Sequence, residues 1–250
     1  MLSAVVLTRN ESKNLGRCLA SLSFCDEIVI VDDNSSDDTL KVAEKFKAKI
    51  FVRELKGDFA AQRNFGQSKV KGQWTLFVDA DEVVTSKLVK EIRESLSGDV
   101  DGYYLRRRDF FWGGELKFGE TRKVRNDGLL RLVRKDSGTW MGNVHEVFHT
   151  ANKTDRLDGF LDHYPHPNLK EFIADINVYS TLRARELYNK GAGTNIFEIV
   201  FLPVFKFIYN YFINLGFLDG AAGFTYSFMM SFHSFLVRSK LYQYKNIKTK

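Results

Sequence analysis

A chain of 250 residues is long enough for one large α/β domain or one domain with a substantial appendage. Its 44% hydrophobic and 27% charged residues exclude wholesale disorder. A net charge of +6 admits an anionic partner, whether nucleic acid, a membrane surface or a phosphorylated small molecule. Cys18 and Cys25 are the only cysteines and read as reduced structural thiols. The N-terminal "LSAVVL" is too short for the apolar region of a signal peptide and leads into Arg9-Asn10-Glu11. A cytoplasmic protein is therefore expected.

Short apolar runs alternate with helical patterns through the first hundred residues. Strands are predicted over 2–8, 27–33, 49–54 and 73–81, and helices over 14–22, 37–46, 59–69 and 86–96. The strands are continuously apolar, as expected for a parallel sheet covered on both faces. A βαβα series of this kind implies right-handed crossovers and a doubly wound sheet. From Gly102 the texture changes. "GYYLRRRDFFW" and "LLRLVRK" read as strands within irregular, Gly- and charge-rich segments. Phe172, Ile176, Tyr179, Leu182 and Leu187 recur at helical spacing, predicting a long helix from Leu169 to about Lys190. Residues 1–194 are expected to form the main domain, in two halves of 1–100 and 101–194, and 195–250 a helical, aromatic-rich appendage.

Ligands of open parallel sheets bind beyond the carboxyl ends of the strands. Three acidic segments fall there: "TRNE" (8–11), "DDNSSDD" (32–38) and "DADE" (79–82). Each alone could be a solvated loop or a helix cap. No G-x-G-x-x-G follows the first strand, and no Walker lysine loop is present. A divalent cation would reconcile so acidic an edge with a nucleotide. Asp79 and Asp81 could place a carboxylate on Mg²⁺ or Mn²⁺, with diphosphate oxygens and water completing its shell.

At these residues a resemblance enters. "VVLTRNE", "IVIVDDNSSDDT", "FAAQRNFG" and "WTLFVDADE", in this order and spacing, resemble family 2 glycosyltransferases of the GT-A fold. "RLVRK", "GNVHEVF", "LDHYPH" and "GFLDGAAGF" are similar to the branch that extends lipopolysaccharide core, often described as β-glucosyltransferases. The resemblance implies that Thr8, Arg9 and Glu11 form the first nucleotide-contacting loop and that Asp33 contacts the base. It implies a nucleotide-side pair in Arg63 and Asn64, a D-x-D motif in Asp79 and Asp81, and a metal-binding histidine in His163; a structural histidine is the alternative there. The "ED" pair and Q-x-x-R-W stretch of processive synthases are missing.

An inverting transfer needs a carboxylate to take the acceptor's proton. Glu146 is the first candidate, with Asp127 and Asp158 as alternatives, and His145 could orient the acceptor. Basic residues crowd the stretch from Arg106 to Lys135. They could be a solvated surface, or Arg131 and Arg134 could hold a phosphate- or carboxylate-bearing acceptor. The expectation is a metal-dependent inverting hexosyltransferase using a UDP-sugar, with glucose as the sugar. Its acceptor would be a lipopolysaccharide-core or other anionic glycolipid or saccharide. A polyprenyl-phosphate acceptor is the alternative within the class. A nucleotidyltransferase would want glycines in "TRNESKN", and three acidic strand ends argue against nucleic acid.

The segment from Gly220 to Val237 has 18 residues without Asp, Glu, Lys or Arg, diluted by Gly, Ser and Thr. Three arrangements are open for residues 196–250. One is a spanning helix. Another is a buried helical pair packing Phe201, Phe205, Tyr209, Phe224 and Phe228 against the catalytic domain. The third, favoured here, is interfacial helices on the cytoplasmic membrane surface, aided by Arg238, Lys240, Lys245, Lys248 and Lys250.

Overall fold

The computed structural model describes residues 1–143 and 146–246. Alternation begins at once. Strands β1 (Leu2–Thr8), β2 (Glu27–Asp32), β3 (Lys49–Val52) and β4 (Trp74–Asp79) are joined by helices α1 (Leu15–Ser21), α2 (Thr39–Lys45) and α3 (Phe59–Lys69). These strands pair in parallel in the order β3-β2-β1-β4. After β4 come the short strand β5 (Glu82–Val84), helix α4 (Ser86–Ser95) and strands β6 (Gly102–Phe111) and β7 (Gly114–Leu116). Helix α5 (Arg122–Asp127) and strands β8 (Leu129–Arg134), β9 (Thr139–Met141), β10 (Val147–His149) and β11 (Thr154–His163) follow. The sheet continues from β4 as β8-β6-β11-β5, and here β8 pairs antiparallel with β4 and β6, as β5 does with β11. The fold is thus a doubly wound sheet with a parallel half and an antiparallel extension.

Period-2 alternation distributes the strand residues to two apolar layers. Ala4, Val6, Ile30, Leu76 and Val78 join a core with Leu15, Leu19, Leu88 and Ile92 of α1 and α4. Val5, Val29, Val31, Phe77 and Val133 join the other, with Ala60 of α3 and with Trp140 and Phe148 of the β9–β10 ribbon. Two glycines set how closely helices approach. A Cβ on Gly66 would lie 2.5 Å from Val5 Cγ1, and one on Gly159 would lie 2.5 Å from the Leu88 Cα. Side chains at either site would push α3 off β1 or α4 off β11.

By packing, residues 1–107 and 126–163 form one compact unit, and residues 108–125 and 164–250 another. The second unit contains helix α6 (Leu169–Asn189), helix α7 (Ile196–Ile208), a π-helical turn (Tyr209–Ile213) and helix α8 (Gly220–Asn246). Asn168 and Asn195 cap α6 and α7 by accepting from the Glu171 and Glu198 amides at 2.9 and 3.0 Å. Its core is Phe111, Leu116, Phe172, Ile176 and Met229.

The buried-pair arrangement for the C-terminal aromatics is overturned. Phe201, Phe205, Tyr209, Phe224 and Phe228 are 50%, 64%, 54%, 48% and 54% exposed. The apolar window long enough to cross a membrane is Ile196–Ile213, with mean hydropathy 1.6, and not the stretch from Gly220. Lys240, expected as a free surface cation, is turned into the fold, where its Nζ donates to Asn177, Ser180 and Thr181 at 2.7–2.8 Å. Lys248 and Lys250 lie outside the described residues.

Candidate active site

The end of β4 carries the expected carboxylates, and strand alternation separates them. Asp79 follows Phe77 on the layer shared with α3 and Trp140. There its Oδ1 accepts from Arg63 Nη2 at 2.7 Å and its Oδ2 from Arg131 Nη2 at 2.8 Å. Burial would raise the Asp79 carboxyl, but the Arg131 and Arg63 guanidiniums hold it well below the usual carboxylate range. Asp79 is therefore a partner of two arginines. Arg131 comes from β8, held in place because Leu76 of β4 pairs with Leu132.

Arg63 forks. Its Nε donates to Glu146 Oε1 at 2.7 Å, and its Nη1 is buried with no hydrogen-bond partner among the described residues. Trp140 backs the pair, with the Arg63 and Arg131 guanidinium carbons 4.9 and 5.8 Å from its ring centre. The ribbon bearing Trp140 and Glu146 is tied to α3. Asn64 Nδ2 donates to the Trp140 carbonyl and its Oδ1 accepts from the Trp140 amide, both at 2.9 Å, while the Phe59 amide donates to Asn143 O at 3.0 Å. Asn64, expected on the nucleotide side, is spent on positioning this ribbon. His145 lies outside the described residues.

Asp81 has a different partner. β5 pairs antiparallel with β11, placing His163 opposite Glu82, and His163 Nε2 lies 3.1 Å from Asp81 Oδ2. Burial pushes the Asp81 carboxyl up, and His163 more than offsets this, leaving it below its ordinary value. Between the two aspartates' environments sits Glu82, fully buried, whose Oε2 accepts from the Asp79 amide at 2.9 Å. Burial and the neighbouring Asp79 raise its carboxyl, and Arg107 Nη1 reaches it at 3.7 Å. The buried Cys18 thiol is pushed well up by desolvation and by Glu82, Asp81 and Asp79. Its Sγ lies 3.5 Å from the Asp79 carbonyl oxygen, packed in the core.

Among the described residues no three His, Cys, Asp or Glu side chains form a metal cage. Asp81 and His163 offer one carboxylate oxygen and one imidazole nitrogen. That set fits a cation whose shell is completed by substrate oxygens and water, as Mg²⁺ and Mn²⁺ prefer in phosphate sites. A free metal ion without nucleotide is not well served by two donors.

The loops after β1 and β2 interlock at the same edge. Thr8 Oγ1 donates to Asp32 Oδ1 at 2.9 Å, and Asp32 Oδ2 accepts from the Ser35 amide at 2.8 Å. Arg9 Nη1 donates to Asp33 Oδ2 at 2.7 Å, and the Leu55 amide donates to Asp33 Oδ1 at 2.8 Å. Glu11 Oε2 accepts from Asn14 Nδ2 at 2.9 Å. Asn10 and Asn34 hold φ values of +56° and +51°, which asparagine tolerates in tight turns.

The basic stretch is largely satisfied internally. Arg106 approaches Asp158 at 4.0 Å, Arg107 Glu82, Arg131 Asp79, and Arg134 Asp101 at 3.1 Å, while Arg125 pairs with Glu115. Arg134 also donates to the Gly98 and Val100 carbonyls at 2.8 and 3.2 Å and lies over Trp74. It clamps a loop instead of facing an acceptor. Asp127 and Asp158 line a separate cavity of about 640 Å³ with Asp155 and Arg156. Trp140, Glu82 and Asp32 belong to the site but were given no role of their own from the sequence. Only Asp32 and Glu82, lying inside acidic runs, could have been suspected.

Residues 3–151 match the family described as Glycosyl transferase family 2. The chain is 30% identical to the lipopolysaccharide core biosynthesis glycosyltransferase LpsC of Rhizobium meliloti, over 100% of this chain and 94% of that protein. An uncharacterized glycosyltransferase of Rickettsia typhi is 26% identical over 96% of this chain and 86% of its own length. The crystal structure of S. aureus TarS 1-349 in complex with UDP-GlcNAc superposes with a TM-score of 0.52 and 15% identity, covering 98% of this chain and 91% of that one. Fold and site thus define a GT-A glycosyltransferase. The chain belongs to glycosyltransferase family 2.

Proposed function

We propose that the protein transfers a hexose, glucose by the family branch it resembles, from a UDP-sugar to a lipopolysaccharide-core or related glycolipid acceptor with inversion. The observation that carries the reading is the bond from Arg63 to Glu146, which holds one carboxylate beside the Asp79–Asp81 strand end where a donor diphosphate would lie. Glu146 takes the proton of the acceptor hydroxyl as that oxygen attacks the anomeric carbon, and the bond to the diphosphate breaks on the opposite side. Asp81 and His163 would hold a divalent cation, which when bound supplies positive charge against the departing diphosphate. Arg63 Nη1, buried and without a partner among the described residues, is available to a phosphate oxygen. Asp33 and the β1 loop receive the nucleoside. The likeness to LpsC across nearly its whole length supports the acceptor class. A polyprenyl-phosphate acceptor is less well supported, since no relative described above is named for one.

The same reading places the enzyme in the cytoplasm, peripheral on the inner membrane face, where a glycolipid acceptor resides. The exposed apolar surface of α7 supports it, because large contiguous apolar patches mark interaction surfaces. Donor hydrolysis across a panel of nucleotide sugars, with and without Mn²⁺, tests the core of the proposal. Metal-stimulated hydrolysis of UDP-glucose above the other donors is expected; equal rates with a chelator, or preference for a non-uridine donor, would overturn it.

A further inference from the structure

Helix α7 is built inside out. Of its thirteen residues only Pro203 is buried, while Phe197, Val200, Phe201, Val204, Phe205 and Ile208 are 41–69% exposed. The polar groups at and just beyond its C-terminal end make contacts within the unit. Lys206 Nζ donates to Glu120 at 2.7–2.9 Å, and Asn210, 1% exposed, donates to Glu120 Oε2 at 2.6 Å. Ser231 of α8 donates to the Pro203 carbonyl at 2.7 Å. Pro203, Lys206 and Asn210 follow one another at helical spacing through α7 and the π-helical turn, so this stripe turns inward while the apolar side chains named above face outward. A helix of a water-soluble surface has the reverse pattern. Hydrocarbon is the medium in which this polarity is the favourable one.

A groove of about 470 Å³ runs between α7 and α8. Leu202, Phe205, Ile208 and Ile213 line it together with Lys206 and Arg238. The charge of Lys206 is met by Glu120, whereas Arg238 has no acidic partner among the described residues. An unpaired guanidinium beside an apolar channel matches one ligand chemistry, a phosphate group attached to an acyl chain.

We propose that this groove binds an anionic membrane phospholipid, its headgroup phosphate on Arg238 and one acyl chain along Leu202, Phe205 and Ile208. The proposal rests on the membrane-docked reading above and adds a headgroup requirement to it. Co-sedimentation of the full chain with phosphatidylglycerol vesicles, against phosphatidylcholine vesicles, tests it. Binding should favour phosphatidylglycerol at least tenfold, fall about tenfold in Arg238→Glu, and be lost in Phe205→Ser combined with Ile208→Ser. Free inorganic phosphate at the same concentration should not compete, since it brings no acyl chain. Far-UV circular dichroism and donor hydrolysis in solution check that the variants fold and keep the active site. Equal binding to both vesicle types, or an unchanged Arg238→Glu, would overturn the headgroup site while leaving general docking standing. Binding to neither would overturn both, and self-association that buries these residues in gel filtration without vesicle binding would overturn both in favour of a protein interface.

Discussion

Arg63 and Glu146, 83 residues apart in the chain, are joined by an Nε–Oε1 hydrogen bond of 2.7 Å. The same guanidinium binds Asp79 at 2.7 Å, so one side chain from α3 couples the proposed proton acceptor to the strand end proposed to receive the donor. A diphosphate arriving there would meet a guanidinium already oriented by two carboxylates, with Nη1 still to be used.

Glu146→Gln keeps an amide oxygen that can accept from Arg63 Nε and removes only the base. Transfer should fall about 10²-fold or more, the usual scale for losing such a group. Calorimetric affinity for UDP should stay unchanged. A near-wild-type transfer rate would move the role to Asp127 or Asp158.

Asp81→Asn should fold normally and lose most metal-dependent transfer, because the proposal puts the cation on Asp81 and its neighbour His163. Titration of Mn²⁺ in the presence of UDP, followed by electron paramagnetic resonance, should show the bound fraction drop. Full turnover of the native enzyme with a chelator present would sink the metal role.

The neighbouring aspartate should behave differently. Asp79→Ala strips the shared partner from Arg63 and Arg131, whose side chains are only 3% and 8% exposed. Leaving buried charges uncompensated costs about 3–5 kcal/mol. Urea unfolding should show that loss for Asp79→Ala and at most a small change for Asp81→Asn. Equal midpoints for the two variants would refute this division between a structural and a ligand aspartate.

Asp33→Ala should weaken UDP binding about tenfold or more, the equivalent of losing one hydrogen bond to a charged group, about 1.5–3 kcal/mol. Its two oxygens already accept from Arg9 and the Leu55 amide, but a carboxylate has lone pairs to spare. Unchanged affinity by calorimetry would remove Asp33 from the nucleotide site and leave it a loop clamp.

Glu27 supplies a pH test remote from the site. Burial would raise its carboxyl, yet the hydrogen bonds from Lys49, the Lys71 amide and Ser3 outweigh that and lower it. An acid depressed in the folded state adds stability above its unfolded value, near 4.3, and loses it as pH falls through the folded value. Glu27→Gln should therefore be less stable than the native chain at pH 7, with the gap closing as pH drops from about 5 to 3. A gap that does not change over this range would show that Glu27 contributes nothing through its charge.

The alternating elements of the first hundred residues were legible in the sequence because buried parallel strands are continuous apolar runs, and β1, β2, β3, β4 and α3 lie close to where the pattern puts them. The carboxylates at strand ends were legible for the same reason, since the end of an apolar run marks the end of a strand. What each carboxylate binds was not. Asp79 and Asp81 are two residues apart and read alike, yet Asp79 meets arginines from α3 and β8 and Asp81 meets a histidine from β11. Those meetings depend on strand order and on antiparallel register, which join residues dozens of positions apart and leave no local pattern. Trp140 and the positioning role of Asn64 were hidden for that reason too. In the C-terminal helices composition revealed the aromatic richness of α7, but only the packing decided which way it faces. The polar stripe of Lys206 and Asn210 is drawn inward by Glu120, a residue from a distant part of the chain, and the apolar side chains are left outside.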